Sequence, residues 1–200
     1  MAMIHMEPQT LQLFERVLGT LKPPPNLTLS QWADKYRRLS AEASSAKGQW
    51  NTDNAPFQRE IMDAIGDVHI RKVVAMMCAQ AGKTEGLILN TVGFYMSYYP
   101  APIMIVQPTV NLGESFSKDR LATMIRDTPI LRGLVDNKSR YSGNTITKKN
   151  FPGGQLTIIG ANSPTDLRGR PIKVLLADEV DAYKAVSYTH LRAHETSQDL

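Results

Sequence analysis

Gly82, Lys83 and Thr84 have the residue types and the order that hold nucleotide phosphates in many proteins. In such a loop, backbone N–H groups and a helix N-terminus surround the phosphates, the lysine contacts the terminal ones and the threonine hydroxyl binds Mg²⁺. The full G-x-x-x-x-G-K-[ST] pattern has glycine at the position where this chain has Met77. A solvated turn with a surface lysine is therefore the alternative for this stretch. The four residues before Gly82 are small or flexible and suit a tight turn: Cys78, Ala79, Gln80 and Ala81.

Asp178 and Glu179 form a second candidate group, because they follow the mainly apolar run Ile172–Ala177. In nucleotide-hydrolysing proteins an aspartate at this place holds Mg²⁺ through water, and a neighbouring glutamate polarises the attacking water. A carboxylate at the carboxyl end of a strand lies where an open α/β sheet binds its ligand. A strand followed by a solvated acidic turn is the alternative. The two motifs in this order favour a nucleotide-hydrolysing core.

Gln58 precedes Lys83 by 25 residues, in a segment that begins like a helix at Ala55-Pro56. A glutamine amide offers one donor and one acceptor in the geometry of the adenine edge. The residue is therefore a candidate adenine reader. An exposed glutamine on a helix surface explains the same position equally well.

Apolar runs and their breaks predict the elements that position these residues. The predicted strands are Val73–Met77, Ile103–Val106, Gln155–Gly160 and the run that ends in the acidic pair. Five helices are predicted: Pro8–Leu21, a segment capped by Ser30, a segment from Ala55, the run after Thr84, and a segment that starts at Asn111 and Glu114. The last of these is expected to bury four apolar side chains, those of Phe116, Leu121, Met124 and Ile125. Alternating strands and helices predict an α/β fold with a parallel, doubly wound sheet.

Composition bounds the class of protein. The chain has 200 residues, 42% of them apolar and 21% charged, which is typical of a globular domain. A net charge of +4 does not by itself indicate nucleic-acid binding, and the basic stretch Asp136–Asn150 favours a solvated hairpin over the alternative of a DNA-facing loop. One cysteine and an N-terminus without an apolar core lead us to expect a soluble intracellular protein.

The chain resembles the large terminase subunits of tailed phages, in the lambda-type branch, from about residue 27 to residue 183. The resemblance rests on a set of short strings taken together: Gln31-Trp32-Ala33-Asp34, Ala55-Pro56-Phe57-Gln58-Arg59-Glu60, Ala79-Gln80-Ala81-Gly82-Lys83-Thr84-Glu85, Val106-Gln107-Pro108-Thr109, Ser117-Lys118-Asp119-Arg120-Leu121, Gly160-Ala161-Asn162-Ser163-Pro164, Leu167-Arg168-Gly169-Arg170-Pro171 and Asp178-Glu179-Val180-Asp181-Ala182-Tyr183.

The resemblance implies a P-loop NTPase fold of the RecA-like kind, with a mostly parallel sheet flanked by helices, that hydrolyses ATP with Mg²⁺ to drive DNA into the capsid. It implies that Lys83 and Glu179 are catalytic and that Thr84 and Asp178 hold the metal. It implies that the nucleotide is bound by Gln58, Ala79, Gln80, Ala81, Gly82, Lys83, Thr84 and Glu85. The implied partners are double-stranded DNA, a small terminase subunit, the portal of the procapsid and further copies in a ring. The implied location is the host cytoplasm, without a membrane.

Other large terminases place an arginine in the loop before Gln-x-Gly-Lys-Thr, where this chain has Cys78-Ala79. We therefore expect a charge-stabilising arginine from elsewhere, either Arg168 or Arg170 or a neighbouring subunit. The resemblance also implies a nuclease domain, which we expect to lie outside these 200 residues.

The residues from about 185 onwards differ from the rest, because V-S-Y-T-H-L-R-A-H-E-T resembles a translated sequencing-library adapter joined to a truncated reading frame. We expect three parts: a lead-in over 1–54, an incomplete ATPase core over 55–184 and a non-native tail over 185–200. Such a tail is too polar and too short to add a helix and a strand, so we expect the sheet edge beside the acidic strand to stand open.

Two other functions fit the motifs. A helicase-type ATPase would explain Asp-Glu-Val-Asp and the upstream glutamine, although helicases generally need a second lobe for which this chain is too short. A nucleotide-binding switch without turnover would explain the loop but leaves Glu179 without a role.

Overall fold

The structure is a computed structural model that describes residues 26–40, 42, 47–78, 80–135, 143–162 and 171–183. The helix predicted over Pro8–Leu21, the candidate arginines Arg168 and Arg170, Ala79 and the tail from residue 185 lie outside these ranges. Each remains a prediction.

A four-stranded, mostly parallel sheet forms the centre of the described fold, in the order β4-β5-β3-β6. Its strands are β3 (Ile103–Gln107), β4 (Lys148–Phe151), β5 (Gly154–Gly160) and β6 (Val174–Ala177). β3 pairs in parallel with both β5 and β6, whereas β4 pairs antiparallel with β5 as a hairpin. A separate two-stranded antiparallel ribbon joins β1 (Arg38–Leu39) to β2 (Gly48–Gln49). The prediction of a mostly parallel sheet is confirmed, as are the strands predicted at Ile103–Val106 and Gln155–Gly160.

The strand predicted at Val73–Met77 is wrong, because this segment has no regular secondary structure and belongs to neither sheet. Val74 is 78% exposed and Met76 is fully exposed. An apolar strand is buried only when neighbouring strands and helices cover it. Within the described residues β6 is an edge strand, with Leu175 59% exposed, and no described segment fills the space beside it.

Helices flank the sheet. They are α1 (Leu29–Tyr36), α2 (Phe57–Gly66), α3 (Asn90–Ser97), α4 (Val110–Ser115) and α5 (Ala122–Asp127). A π-helical turn, Thr84–Leu89, leads directly into α3, and a second one, Phe116–Leu121, joins α4 to α5. Two of the predicted caps are wrong. Thr28, not Ser30, caps α1 in a capping box with Gln31, and Thr109 rather than Asn111 caps α4 through its hydroxyl.

Both faces of β3 are covered. Ile103 and Ile105 pack into a large core that includes Trp32 and Leu89, while Met104 and Val106 lie in a smaller cluster on the opposite face. Burial on both faces explains the continuous apolar run of this strand. The four side chains predicted to face inwards, Phe116, Leu121, Met124 and Ile125, are all buried. Within the described residues no helix combines the length and the apolar character needed to cross a bilayer.

Candidate functional site

The loop over residues 80–84 has an unusual backbone. Gln80 has φ = 63° and Gly82 has φ = 72°, so left-handed conformations lie on both sides of Ala81. Glycine adopts this region readily, whereas a residue with a side chain does so only when its surroundings compensate. The loop therefore has a specific shape, which fits the small and flexible residues noted in its sequence.

Lys83 and Thr84 lie where this loop becomes a helix. Lys83 already has helical dihedral angles, Thr84 begins the π-helical turn, and the Gly86 N–H donates to the Gly82 carbonyl at 2.8 Å. The first N–H groups of a helix lack partners within the helix, and together with the helix dipole they attract anions. No carboxylate of the described residues forms an ion pair with the Lys83 ammonium, which can therefore meet an anion at this helix start.

Gln58 lies beneath the loop, inside the protein. Its side chain is 2% exposed, and its Nε2 donates to the carbonyl of Ala81 at 2.7 Å. The sequence had allowed an exposed glutamine on a helix surface, and that alternative is wrong because α2 packs this side chain against the loop. The adenine-reading role stays a prediction, and it would require the amide to leave Ala81.

Glu85 lies at the same helix start and forms ion pairs with two arginines. Its Oε2 accepts from Arg37 Nη2 at 2.6 Å, and its Oε1 lies 3.4 Å from Arg120 Nη1. Arg37 is 2% exposed, and burial lowers the pKa of its guanidinium, an effect that the charge of Glu85 opposes. Glu85 is therefore engaged within the protein, next to Thr84, and links the segment after α1 to the loop.

The two carboxylates after β6 differ in their surroundings. Asp178 is buried, and its Oδ2 accepts from Gln107 Nε2 at 3.3 Å, so the ends of the parallel strands β3 and β6 are joined by side chains. Glu179 is exposed and adopts a left-handed conformation with φ = 51°. A strained residue beside a buried carboxylate is typical of functional sites. One carboxylate is thus held within the protein and the other is exposed, while the two roles predicted for them stay predictions.

Tyr183 returns to this strand end. Its hydroxyl donates to the Val106 carbonyl at 2.9 Å, and burial, together with the nearby charge of Asp178, raises the pKa of the phenol to about 12. The tyrosine therefore closes one side of the acidic end of the sheet.

The loop and the acidic pair share no direct polar contact within the described residues. Gln58, Ala81, Gly82 and Glu85 belong to the first, and Asp178 with Gln107 to the second. Among the described residues no hydrogen bond or ion pair joins residues 80–84 to Asp178 or Glu179. The segment before the loop is not paired with β6 in the sheet.

Three contact residues were not predicted as parts of the site: Arg37, Gln107 and Tyr183. Gln107 had a readable signal, because it is a polar residue at the end of an apolar strand. Arg37 had none, since its partner Glu85 is 48 residues away in the sequence.

The donors present suit Mg²⁺ held together with phosphate. Among the described residues no group of three or more His, Cys, Asp or Glu side chains could form a complete metal site. Mg²⁺ usually takes only one or two carboxylates and completes its shell with waters and substrate phosphates. A buried aspartate oxygen and a threonine hydroxyl are donors of that kind.

The fold and the site thus define a mixed α/β protein with a mostly parallel sheet, polar groups at the carboxyl ends of its strands and an anion-attracting helix start. The family model of the phage terminase large subunit gpA, ATPase domain, matches residues 44–192. The chain belongs to this family.

Two curated relatives agree with the family. The terminase large subunit of Enterobacteria phage P21 is 30% identical over 170 residues, which cover 84% of this chain and 26% of the relative. The terminase large subunit of Escherichia phage lambda is 30% identical over 168 residues, which cover 83% of this chain and 26% of the relative. The chain therefore spans about a quarter of the length of these relatives. No solved structure matches.

Proposed function

We propose that this chain is the nucleotide-hydrolysing part of a phage terminase large subunit, with a P-loop fold that uses ATP and Mg²⁺. The observation that carries the proposal is the course of residues 80–84, from two left-handed residues straight into a helix that starts at Lys83-Thr84. Membership of a family of ATPase domains supports the same reading and favours it over a helicase-type enzyme.

The residue roles follow from their surroundings. Lys83 stabilises charge on the β- and γ-phosphates, and backbone N–H groups of residues 79–84 contact the phosphate oxygens. The Thr84 hydroxyl and Asp178 would hold Mg²⁺, and the bound ion would neutralise charge on the phosphate oxygens. Glu179, exposed beside the buried Asp178, orients the attacking water and accepts its proton.

Gln58 and Glu85 belong to the nucleotide-binding set through the loop. Gln58 bonds to Ala81 and Glu85 bonds to Arg37, so both fix the backbone that surrounds the phosphates. Arg120, beside Glu85, is exposed on the same side, and the predicted Arg168 and Arg170 remain candidates for the charge-stabilising arginine.

In the full-length protein, hydrolysis would drive double-stranded DNA into a procapsid through its portal. The proposed partners are a small terminase subunit and further copies of the same chain in a ring, in the cytoplasm of the host. In this proposal residues 1–54 are a lead-in, 55–184 the ATPase core and 185–200 a tail that does not belong to the fold.

The experiment compares three carboxylate variants by phosphate release and by ATP binding with and without Mg²⁺. Glu179→Gln should bind ATP as the wild type does and hydrolyse it at least about a hundredfold more slowly, since general-base catalysis contributes about 10²–10⁴-fold. Asp178→Asn should instead lose the Mg²⁺-dependent part of binding.

Asp181→Asn is the matched control, because Asp181 is an exposed carboxylate two residues beyond Glu179. It should behave as the wild type in both assays. Identical behaviour of Asp178→Asn and Glu179→Gln would overturn the division of roles between the two carboxylates.

A further inference from the structure

The Gln58 side chain is buried in contact with the loop over residues 80–84. The Gln58 Nε2 donates to the Ala81 carbonyl at 2.7 Å, and the side chain is 2% exposed. The donor belongs to α2 and the acceptor lies 23 residues later. A helix that precedes the loop thus reaches the loop from inside the protein.

The acceptor is the one residue of the loop that lies between two left-handed residues. Gln80 with φ = 63° and Gly82 with φ = 72° turn the backbone before and after Ala81. For Gln80 this conformation is unfavourable, and such conformations persist only when surrounding contacts hold them. The bond from Gln58 is a contact of that kind, and it acts at the centre of the turn.

Two glycines of the loop and its helix make room for the amide. A Cβ atom at Gly86 would lie 1.9 Å from Gln58 Oε1, and one at Gly82 would lie 3.2 Å from Nε2. The side chain therefore fills a slot that only glycine leaves open at position 86. Gln58, Gly82 and Gly86 form a single packed unit with Ala81.

The carbonyl oxygen of the Gln58 amide, unlike its N–H group, forms no hydrogen bond with the described residues. Gln58 Oε1 is buried without a hydrogen-bond partner among the described residues. An unsatisfied buried acceptor costs stability, whereas an apolar side chain of the same length would fill the slot without that cost. The benefit of glutamine here is its N–H donor to Ala81.

We propose that Gln58 is a positioning residue that fixes the 80–84 loop in its phosphate-binding shape, so that it increases affinity for the phosphates whatever base they carry. The inference rests on the proposed function, since it assigns the phosphates of a nucleotide as the ligand of this loop. It differs from the adenine-reading role, which needs the donor and the acceptor of the amide both turned towards the base.

The test measures the affinity of the full chain for three probes: Mg²⁺-ATP, Mg²⁺-GTP and Mg²⁺-tripolyphosphate, which has no base. Gln58→Met keeps the length of the side chain and removes the donor. It should weaken all three probes by the same factor, about threefold to tenfold, which is the contribution of one neutral hydrogen bond.

Gln49→Met is the matched control. Gln49 Nε2 also donates to a backbone carbonyl at 2.7 Å, that of Asp34, but away from the loop. Its replacement should leave the affinity for all three probes unchanged. A comparable loss in Gln49→Met would show a general effect on folding and would overturn the proposal.

The slot gives a second test that does not depend on the donor alone. Gly86→Ala should displace the amide and weaken all three probes, whereas Gln58→Ala creates space for the added methyl group. Adding Gly86→Ala to Gln58→Ala should therefore reduce affinity by less than about twofold further. Equal losses from Gly86→Ala in both backgrounds would contradict the packing on which the proposal depends.

The outcomes separate this inference from the proposed function. A loss confined to ATP would identify Gln58 as an adenine reader and overturn the inference while the proposed function stands. Unchanged affinity of Gln58→Met for every probe would also overturn it. Failure of the wild type to bind any of the three probes would overturn the proposed function, and the inference with it.

Discussion

Removal of the Glu85 charge should destabilise the protein far more than an ordinary surface change. Arg37 is 2% exposed, and its guanidinium depends on Glu85 at 2.6 Å for the only carboxylate that pairs with it among the described residues. Its other bonds go to the Arg38 carbonyl and to the Thr128 hydroxyl, and its Nε has no partner in the described structure. Glu85→Gln would therefore leave a buried positive charge without its ion-pair partner.

The magnitude follows from that burial. Breaking one partner of a buried ion pair costs about 3–5 kcal/mol, out of a total stability of about 5–15 kcal/mol for a domain. Urea unfolding followed by circular dichroism, without nucleotide, measures the loss. Arg120→Met is the control, since Arg120 is 45% exposed and lies at 3.4 Å from the same glutamate, and its loss should stay below about 1 kcal/mol.

A double replacement isolates the charge from the packing. Arg37→Met combined with Glu85→Leu removes both charges and keeps apolar volume, so its stability should lie within about 1 kcal/mol of the wild type. A loss below about 1 kcal/mol in Glu85→Gln, or a double variant as unstable as the single one, would refute the reasoning.

Two further predictions concern packing and pH. Gly93→Ala should destabilise the protein by about 1–3 kcal/mol, because the added Cβ would lie 2.3 Å from Trp32 Cη2 in the core, and an unchanged urea midpoint would count against that packing. Tyr183, whose pKa is raised from 10.0 to about 12, should contribute stability that is complete below pH 10 and is lost as the pH rises from 10 through 12. Stability measured across this range should lose that part of its pH dependence in Tyr183→Phe, and an identical slope in both proteins would contradict the assignment.

The sequence was a good guide where an element is stabilised by its own residues and by covering on both faces. β3 and β5 are runs rich in apolar residues between breaks, and both were predicted within two residues of their observed ends. The run at Val73–Met77 is also apolar, but its residues before Met77 are exposed. Composition reports the tendency of a segment to be buried, while the neighbouring strand that would bury it is a property of the whole fold.

The correct cap of α1 could have been identified from the local sequence. Thr28 and Gln31 satisfy each other's backbone N–H groups, whereas the Ser30 N–H donates to Asp63 on α2. The threonine-x-x-glutamine spacing could have been read as a capping box.

The candidate site was predictable in its chemistry but not in its contacts. Residue types and order identified Lys83, Thr84 and the acidic pair, since these depend on local sequence. The burial of Gln58 and the ion pair of Glu85 with Arg37 join parts of the chain that are distant in sequence. Such pairings depend on how the helices pack, which a single sequence does not specify.

The most direct measurement of the central claim is the binding of Mg²⁺-ATP to the full chain by titration calorimetry, with Lys83→Ala and Lys118→Ala beside the wild type. Lys118 is a 56% exposed lysine that pairs with Glu114 on the helix surface, so its removal should leave the affinity unchanged. Lys83→Ala should bind about ten- to a hundredfold more weakly, the contribution of a hydrogen bond between charged groups. Wild-type protein that binds no Mg²⁺-ATP, or a Lys83→Ala variant that binds it as tightly as the wild type, would contradict the account.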